Sequence, residues 1–169
     1  MNLETEKVLP PNRIGEIRFR SKFIGKRYYN NEESLGLESD GFMKTGDIGY
    51  YDDDNCLYVV DRIKEMFKYR SWHIVPASLE QVLYEHAAIK EAVIIGIPAE
   101  EDGEHPMALV VLKDGYNTTE TDIKQFVDGR VIEREKLRAG VKILEEIPKT
   151  PTGKFSRIRL REMVLSKRI

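Results

Sequence analysis

Two apolar runs, at residues 91–98 and 107–113, constrain the fold more than any other feature of the sequence. They are joined by the acidic loop Glu100-Glu101-Asp102-Gly103-Glu104. Runs of this length, separated by a polar, Gly-bearing connection, read as paired strands. The longest uninterrupted apolar stretch is about eight residues, far below the roughly 20 needed to span a bilayer. Helical periodicity flanks the strands. Leu79, Val82, Leu83 and His86 fall at i, i+3, i+4 and i+7 behind Pro76, which predicts a helix with His86 on one of its faces. Ser78, with Gln81 three residues later, predicts a capping box for it. Downstream, Ile123, Phe126 and Val127 mark a second amphipathic helix, residues 141–145 a further strand, and 148–153 a turn-rich loop. Leu160, Met163, Val164 and Lys167 then share a face of a last helix, with Ser156 as its cap.

From residue 61 onward the order is hairpin, helix, strand, strand, helix, strand, helix. Mixed ordering with antiparallel hairpins predicts an α+β fold, a small mixed sheet flanked by helices. The first 60 residues read as all-β. Residues 14–20 alternate apolar and polar, 24–30 suggest a second short strand, and 31–41 a loop or short helix. Residues 48–51 and 56–60 form a hairpin around Asp52-Asp53-Asp54-Asn55. Trp72 and the eight tyrosines are expected in the core and strands. A boundary falls at 60–64. The segment after it is long enough to bury its own core, whereas the β-rich segment before it reads as a piece of something larger.

The 169 residues hold 27 Lys and Arg against 29 Asp and Glu, a net charge of −2. Such a chain is no general electrostatic trap for nucleic acid or anionic membrane. Cys56 is the single cysteine, so no intrachain disulfide forms and a reducing, intracellular compartment is expected. The first residues form no apolar signal region, so secretion is not expected. His73, His86 and His105 share no metal-ligand spacing with one another or with Cys56.

Three constellations could carry chemistry. In Thr45-Gly46-Asp47 a carboxylate after a tight Gly turn can accept hydrogen bonds from a diol, or can close an ordinary Asx turn. The segment from Asp61 to Arg70 holds four cations and two anions. It can clamp a phosphate or carboxylate, or can be a self-paired surface hairpin. Pro148-Lys149-Thr150-Pro151-Thr152-Gly153-Lys154 is a shaped loop projecting a lysine, a device for stabilising transition-state charge. The same lysine can also be a plain surface residue. The spacing of a phosphate-binding P-loop is absent. The basic tail from Lys154 onward can meet a polyanion or simply be a solvated helix face.

In order and spacing these motifs resemble the end of the adenylate-forming enzymes: acyl-CoA synthetases, coumarate–CoA ligases and beetle luciferases. The residues that carry the resemblance are Thr45-Gly46-Asp47, Tyr58 to Glu65, Lys68-Tyr69, Val75-Pro76-Ala77 with Leu79-Glu80, and Pro148 to Lys154. Gly15-Glu16-Ile17, Gly103-Glu104-His105-Pro106 and Leu137-Arg138 before Gly140-Val141 also fit. The resemblance implies that residues 1–61 close a large AMP-binding domain and that 62–169 form the C-terminal lid. It implies a carboxylic acid substrate, ATP and AMP, coenzyme A, and Mg²⁺ arriving with ATP. It implies that Asp47 accepts the ribose hydroxyls, and that Arg62, Lys68 and His73 contact the nucleotide. Lys68 falls on the face used in the second half-reaction, Lys64 at the hinge, and Lys154 is the catalytic lysine of adenylation. Ser71 stands where the family has Gly, and His73 where this branch has Gln. The phosphate loop, adenine segment and acyl pocket of such enzymes are not in this sequence, so the isolated chain is expected to be inactive. A freestanding lid acting on a partner large domain is the alternative. The resemblance also admits a peroxisomal or cytoplasmic location, although Ser166-Lys167-Arg168-Ile169 is not a Ser-Lys-Leu address.

Overall fold

A computed structural model describes residues 1–25 and 37–169. The strand expected at 24–30 and the loop at 31–41 fall mainly on residues outside that description. The chain divides into two compact units, Met1–Lys64 and Glu65–Ile169.

The first unit is an antiparallel sheet in the order β1 (Gly15–Phe19), β2 (Met43–Tyr51), β3 (Leu57–Arg62). The β2–β3 hairpin is the one expected, though both strands are longer. Its turn is organised by Asp52, whose Oδ1 accepts from the main-chain N–H groups of Asp54 and Cys56 at 3.0 and 2.9 Å. Tyr50 and Tyr58 pair across the strands with rings stacked at 5.0 Å. Gly49 beside them tolerates no side chain, since a Cβ there would lie 2.2 Å from the Tyr58 carbonyl oxygen. The register shifts between Ile48 and Gly49.

The second unit is a five-stranded mixed sheet covered on both faces. Its strands are β4 (Phe67–Tyr69), β5 (Trp72–Ile74), β6 (Ile89–Ala99), β7 (Gly103–Leu112) and β8 (Gly140–Ile143). β6 and β7 form the long antiparallel pair read from the apolar runs, and β8 lies parallel to β7. The helices are α1 (Pro76–Tyr84), α2 (Glu120–Asp128) and α3 (Arg157–Leu165). Strand side chains alternate between faces, and here each face has its own cluster. Ala92, Ile94, Ala108 and Val110 pack with Leu79 and Leu83 of α1 and Ile123 and Val127 of α2. Val93, Ile95, Leu109 and Val111 pack with Leu160 of α3. Burial of both faces is why the runs are continuously apolar rather than alternating.

Helix ends follow local chemistry, with three departures from the sequence reading. α1 starts at Pro76 without a side-chain cap. Proline's fixed φ and missing N–H suit the first helical turn, so the helix begins before Ser78 can cap it. α1 also ends before His86, whose ring instead meets Phe126 edge-on at 4.8 Å. α2 carries a full capping box between Thr119 and Asp122. Ser156 caps α3 as expected, but Lys167 lies past the helix with φ +55°. Trp72 is in a strand as expected, yet it is 58% exposed rather than in the core, with the Arg134 guanidinium 4.6 Å from its ring.

Candidate functional site

In the first unit the sheet register brings Asp47 and Arg62 together. They are cross-strand partners, and Asp47 Oδ1 lies 3.2 Å from Arg62 Nε. The Arg62 side chain is 62% exposed and that of Asp47 32% exposed, so both remain within reach of a solute. Thr45-Gly46-Asp47 lies inside β2 rather than in a turn between elements. Gly46 has φ +72°, a left-handed conformation that favours glycine. The bond that closes the kink comes from threonine, not aspartate. Thr45 Oγ1 accepts from the Asp47 N–H at 3.0 Å and donates to the Ile17 carbonyl at 2.8 Å. The Asp47 carboxylate is therefore not used up in an Asx turn. A carboxylate beside a guanidinium can accept from hydroxyls while its neighbour meets a phosphate.

Lys64 is exposed in a short 3-10 turn at Ile63–Glu65, where the two units divide. Lys68 and His73 are cross-strand partners on β4 and β5. Phe67, Tyr69 and Ile74 of the same hairpin are buried in the core, so strand alternation turns Lys68 and His73 to the other side. The connection is the two-residue turn Arg70-Ser71, with φ +45° and +67°, as a type I′ hairpin turn requires. Ser71 thus holds a backbone conformation that glycine adopts more readily. Arg70 steadies the hairpin through Asp102. Its main-chain N–H donates to the Asp102 carbonyl at 2.8 Å and its Nε lies 2.5 Å from Asp102 Oδ1. His105 Nε2 lies 2.8 Å from the other oxygen. The Arg70 hydrogen bond first, then that of His105, hold the Asp102 carboxyl below the ordinary aspartate range.

Lys154 lies in the loop between β8 and α3. The loop closes on itself: Thr150 N–H donates to the Lys154 carbonyl and Gly153 N–H to the Thr150 carbonyl, both at 2.8 Å. Gly153 supplies the left-handed φ of +78°. Lys154 is exposed, and its ammonium pairs with no carboxylate among the described residues. Lys149, at the loop's start, pairs with Glu91 of β6 at 2.6 Å. Arg157, at its end, is tied into a network with Glu80 and Glu65. Sequence reasoning had no signal for Arg157 beyond its place in the basic tail. The structure thus brings Asp47 to Arg62 and Lys68 to His73, and sets Lys154 on its own loop. Among the described residues, no three His, Cys, Asp or Glu side chains are grouped to hold a metal ion. No helix among them is long and apolar enough to cross a membrane.

This fold, with a self-closed lysine loop after a mixed sheet, is that of the C-terminal portion of the adenylate-forming enzymes, and the chain belongs to that superfamily. Residues 78–154 match the AMP-binding enzyme C-terminal domain family. Luciferin 4-monooxygenase of Photuris pensylvanica is 44% identical over 94% of this chain and 30% of its own length. A 4-coumarate–CoA ligase of Vanilla planifolia is 42% identical over 94% of this chain and 29% of its own. The structure of ATP-bound MatB from Rhodopseudomonas palustris superposes with a TM-score of 0.85 at 26% identity, covering 96% of this chain and 32% of that one. The chain therefore spans about 30% of the length of these curated relatives.

Proposed function

We propose that the chain is the C-terminal part of an ATP-dependent carboxylate–CoA ligase, with residues 1–61 ending the large domain and 62–169 forming its lid. In the first step a substrate carboxylate oxygen bonds to the α-phosphorus of ATP and the bond to the β-phosphate oxygen breaks, releasing pyrophosphate. Two anions meet in that step, and a cation placed between them in a site closed to water lowers its barrier. Lys154 supplies that cation. Asp47 accepts from the ribose hydroxyls and Arg62 lies against ribose and phosphate. In the second step the sulfur of coenzyme A bonds to the acyl carbon and AMP leaves. Lys64 is the hinge that exchanges the two lid faces, and Lys68 and His73 serve the nucleotide on the second face. Mg²⁺ enters with ATP as part of the substrate.

The observation that carries this reading is the Asp47–Arg62 pair, a carboxylate and a guanidinium 3.2 Å apart and both open to solvent. Among the described residues no glycine-rich loop cradles pyrophosphate, and in this reading the segment works with a large domain. The first unit suits such docking. It has a recess of about 480 Å³ lined by apolar residues including Leu9, Ile17, Phe19 and Leu57, and Leu57 and Val59 are exposed beside it.

A coumarate–CoA ligase lacking its own matching C-terminal portion tests the reading, with this full chain either fused to it or added in trans. Recovery of acyl-CoA synthesis in the fusion alone supports a segment of one long enzyme. Recovery in both supports a freestanding lid. Failure of both at saturating chain overturns the function.

A further inference from the structure

We propose that Arg157 is the positioning residue for Lys154, acting through Glu80; the proposal rests on the adenylation role given to Lys154. Arg157 is the first residue of α3, three positions after the lysine. Its guanidinium is committed in several directions. Nη2 donates to both carboxylate oxygens of Glu80 at 2.7 and 2.9 Å, Nη1 to Glu65 at 3.3 Å, and Nε to the Ile94 carbonyl at 3.2 Å. Glu80 Oε1 also accepts from the Ile94 N–H at 2.9 Å. One network therefore joins the end of the lysine loop to α1, to the middle of β6 and to Glu65.

The geometry exceeds what a surface ion pair provides. The side chains of Arg157, Glu80 and Glu65 are 21, 16 and 26% exposed, and the planar guanidinium uses all three nitrogens, Nη2 on Glu80, Nη1 on Glu65 and Nε on the Ile94 carbonyl, which fixes its angle as well as its distance. The loop's other end is held by Lys149 on Glu91, and the turn between is locked by its own hydrogen bonds. Lys154 has no ion partner of its own among the described residues, so its place is set by the two anchors. A cation bridging two reacting anions is sensitive to position, since a displacement on the order of 1 Å costs about 100-fold in rate. The anchor with more bonds is Arg157, only three residues away.

The test uses the full chain fused to the large-domain portion of a coumarate–CoA ligase. Its readouts are acid-dependent ATP–pyrophosphate exchange for the first half-reaction, and thioester formation from preformed acyl-adenylate for the second. Arg157→Ala is expected to slow exchange by about 100-fold through kcat, with KM for ATP nearly unchanged and the second half-reaction intact. Arg157→Lys, a point charge without the planar set of three donor nitrogens, is expected to recover only part of the loss. Because Arg157 acts through Lys154, the double variant Lys154→Ala/Arg157→Ala should be no slower than Lys154→Ala alone. Parallel loss of both half-reactions, or additive loss in the double variant, would make Arg157 merely structural and overturn the proposal. If Lys154→Ala itself leaves exchange unchanged, the functional reading fails instead. A readout without activity uses the unfused chain. Trypsin should cut after Lys154 at least tenfold faster in Glu80→Gln and Arg157→Ala, with cutting after Lys113 unchanged. An unchanged rate after Lys154 refutes the anchoring.

Discussion

Gly103 and Gly115 both hold left-handed backbone, with φ +82° and +80°, but their surroundings differ. A Cβ on Gly115 would meet nothing within 4 Å, whereas one on Gly103 would lie 2.8 Å from the Lys68 carbonyl oxygen. Ala at either position bears the left-handed penalty, about 1–2 kcal/mol. At Gly103 it must also push a backbone oxygen aside by roughly 0.5 Å, since such C···O contacts normally begin near 3.3 Å. That oxygen belongs to β4, whose pairing with β7 is Tyr69 against Gly103, so no side-chain rotation relieves the collision. Overpacking of this kind costs about 1–3 kcal/mol. Gly115→Ala should therefore lose about 1–2 kcal/mol and Gly103→Ala about 2–5 kcal/mol. Urea unfolding followed by Trp72 fluorescence reads the difference, because Trp72 is the sole tryptophan and pairs with Tyr69 at the end of the same hairpin. Equal losses in the two variants would refute the reasoning that close approach to Lys68, rather than φ alone, demands glycine at 103.

Thr119→Ala removes the hydroxyl half of the α2 capping box, the bond from the Asp122 N–H, and leaves the Thr119 N–H on the Asp122 carboxylate; it should cost about 1 kcal/mol in urea unfolding, and no loss would show that the hydroxyl does not hold the helix end. Burial pushes the Glu135 carboxyl up, with Arg134 opposing more weakly. Its folded value lies above its unfolded one, so ionisation destabilises the fold above the ordinary glutamate range. Glu135→Gln should raise the melting temperature at pH 7 and change it little at pH 4, and an equal rise at both would contradict this. Asp102 has the opposite sign. Its contribution is present above the ordinary aspartate range and fades as pH falls through its lowered folded value. The stability gap between the chain and Asp102→Asn should thus narrow under acid, and a pH-independent gap would count against the Arg70–Asp102–His105 contacts.

The central sheet was legible because β6 and β7 are buried on both faces. Val93 and Ile94 serve different cores, yet both must be apolar, and the run stands out. The hairpin at Asp52 was legible from turn chemistry that the Asp52 carboxylate then performs. Ser78 misled because a proline two residues earlier makes a better start for the helix than a hydroxyl makes a cap. Trp72 misled because aromatic size suggests burial, while an arginine laid over the ring accommodates exposure. At Thr45-Gly46-Asp47 the kink was foreseeable from glycine, but not that threonine would close it and leave the aspartate free to pair with Arg62. Arg157 was illegible for a simpler reason: its main partner lies 77 residues away in the chain, and no local spacing encodes that contact.

The proposed role of Lys154 as the cation of adenylation is tested by separating the two half-reactions in the Lys154→Ala variant of the fused enzyme. ATP–pyrophosphate exchange should fall by about 100–1,000-fold, while thioester formation from preformed acyl-adenylate keeps its rate. Exchange that survives the substitution, or an equal fall in both half-reactions, would exclude that role for Lys154.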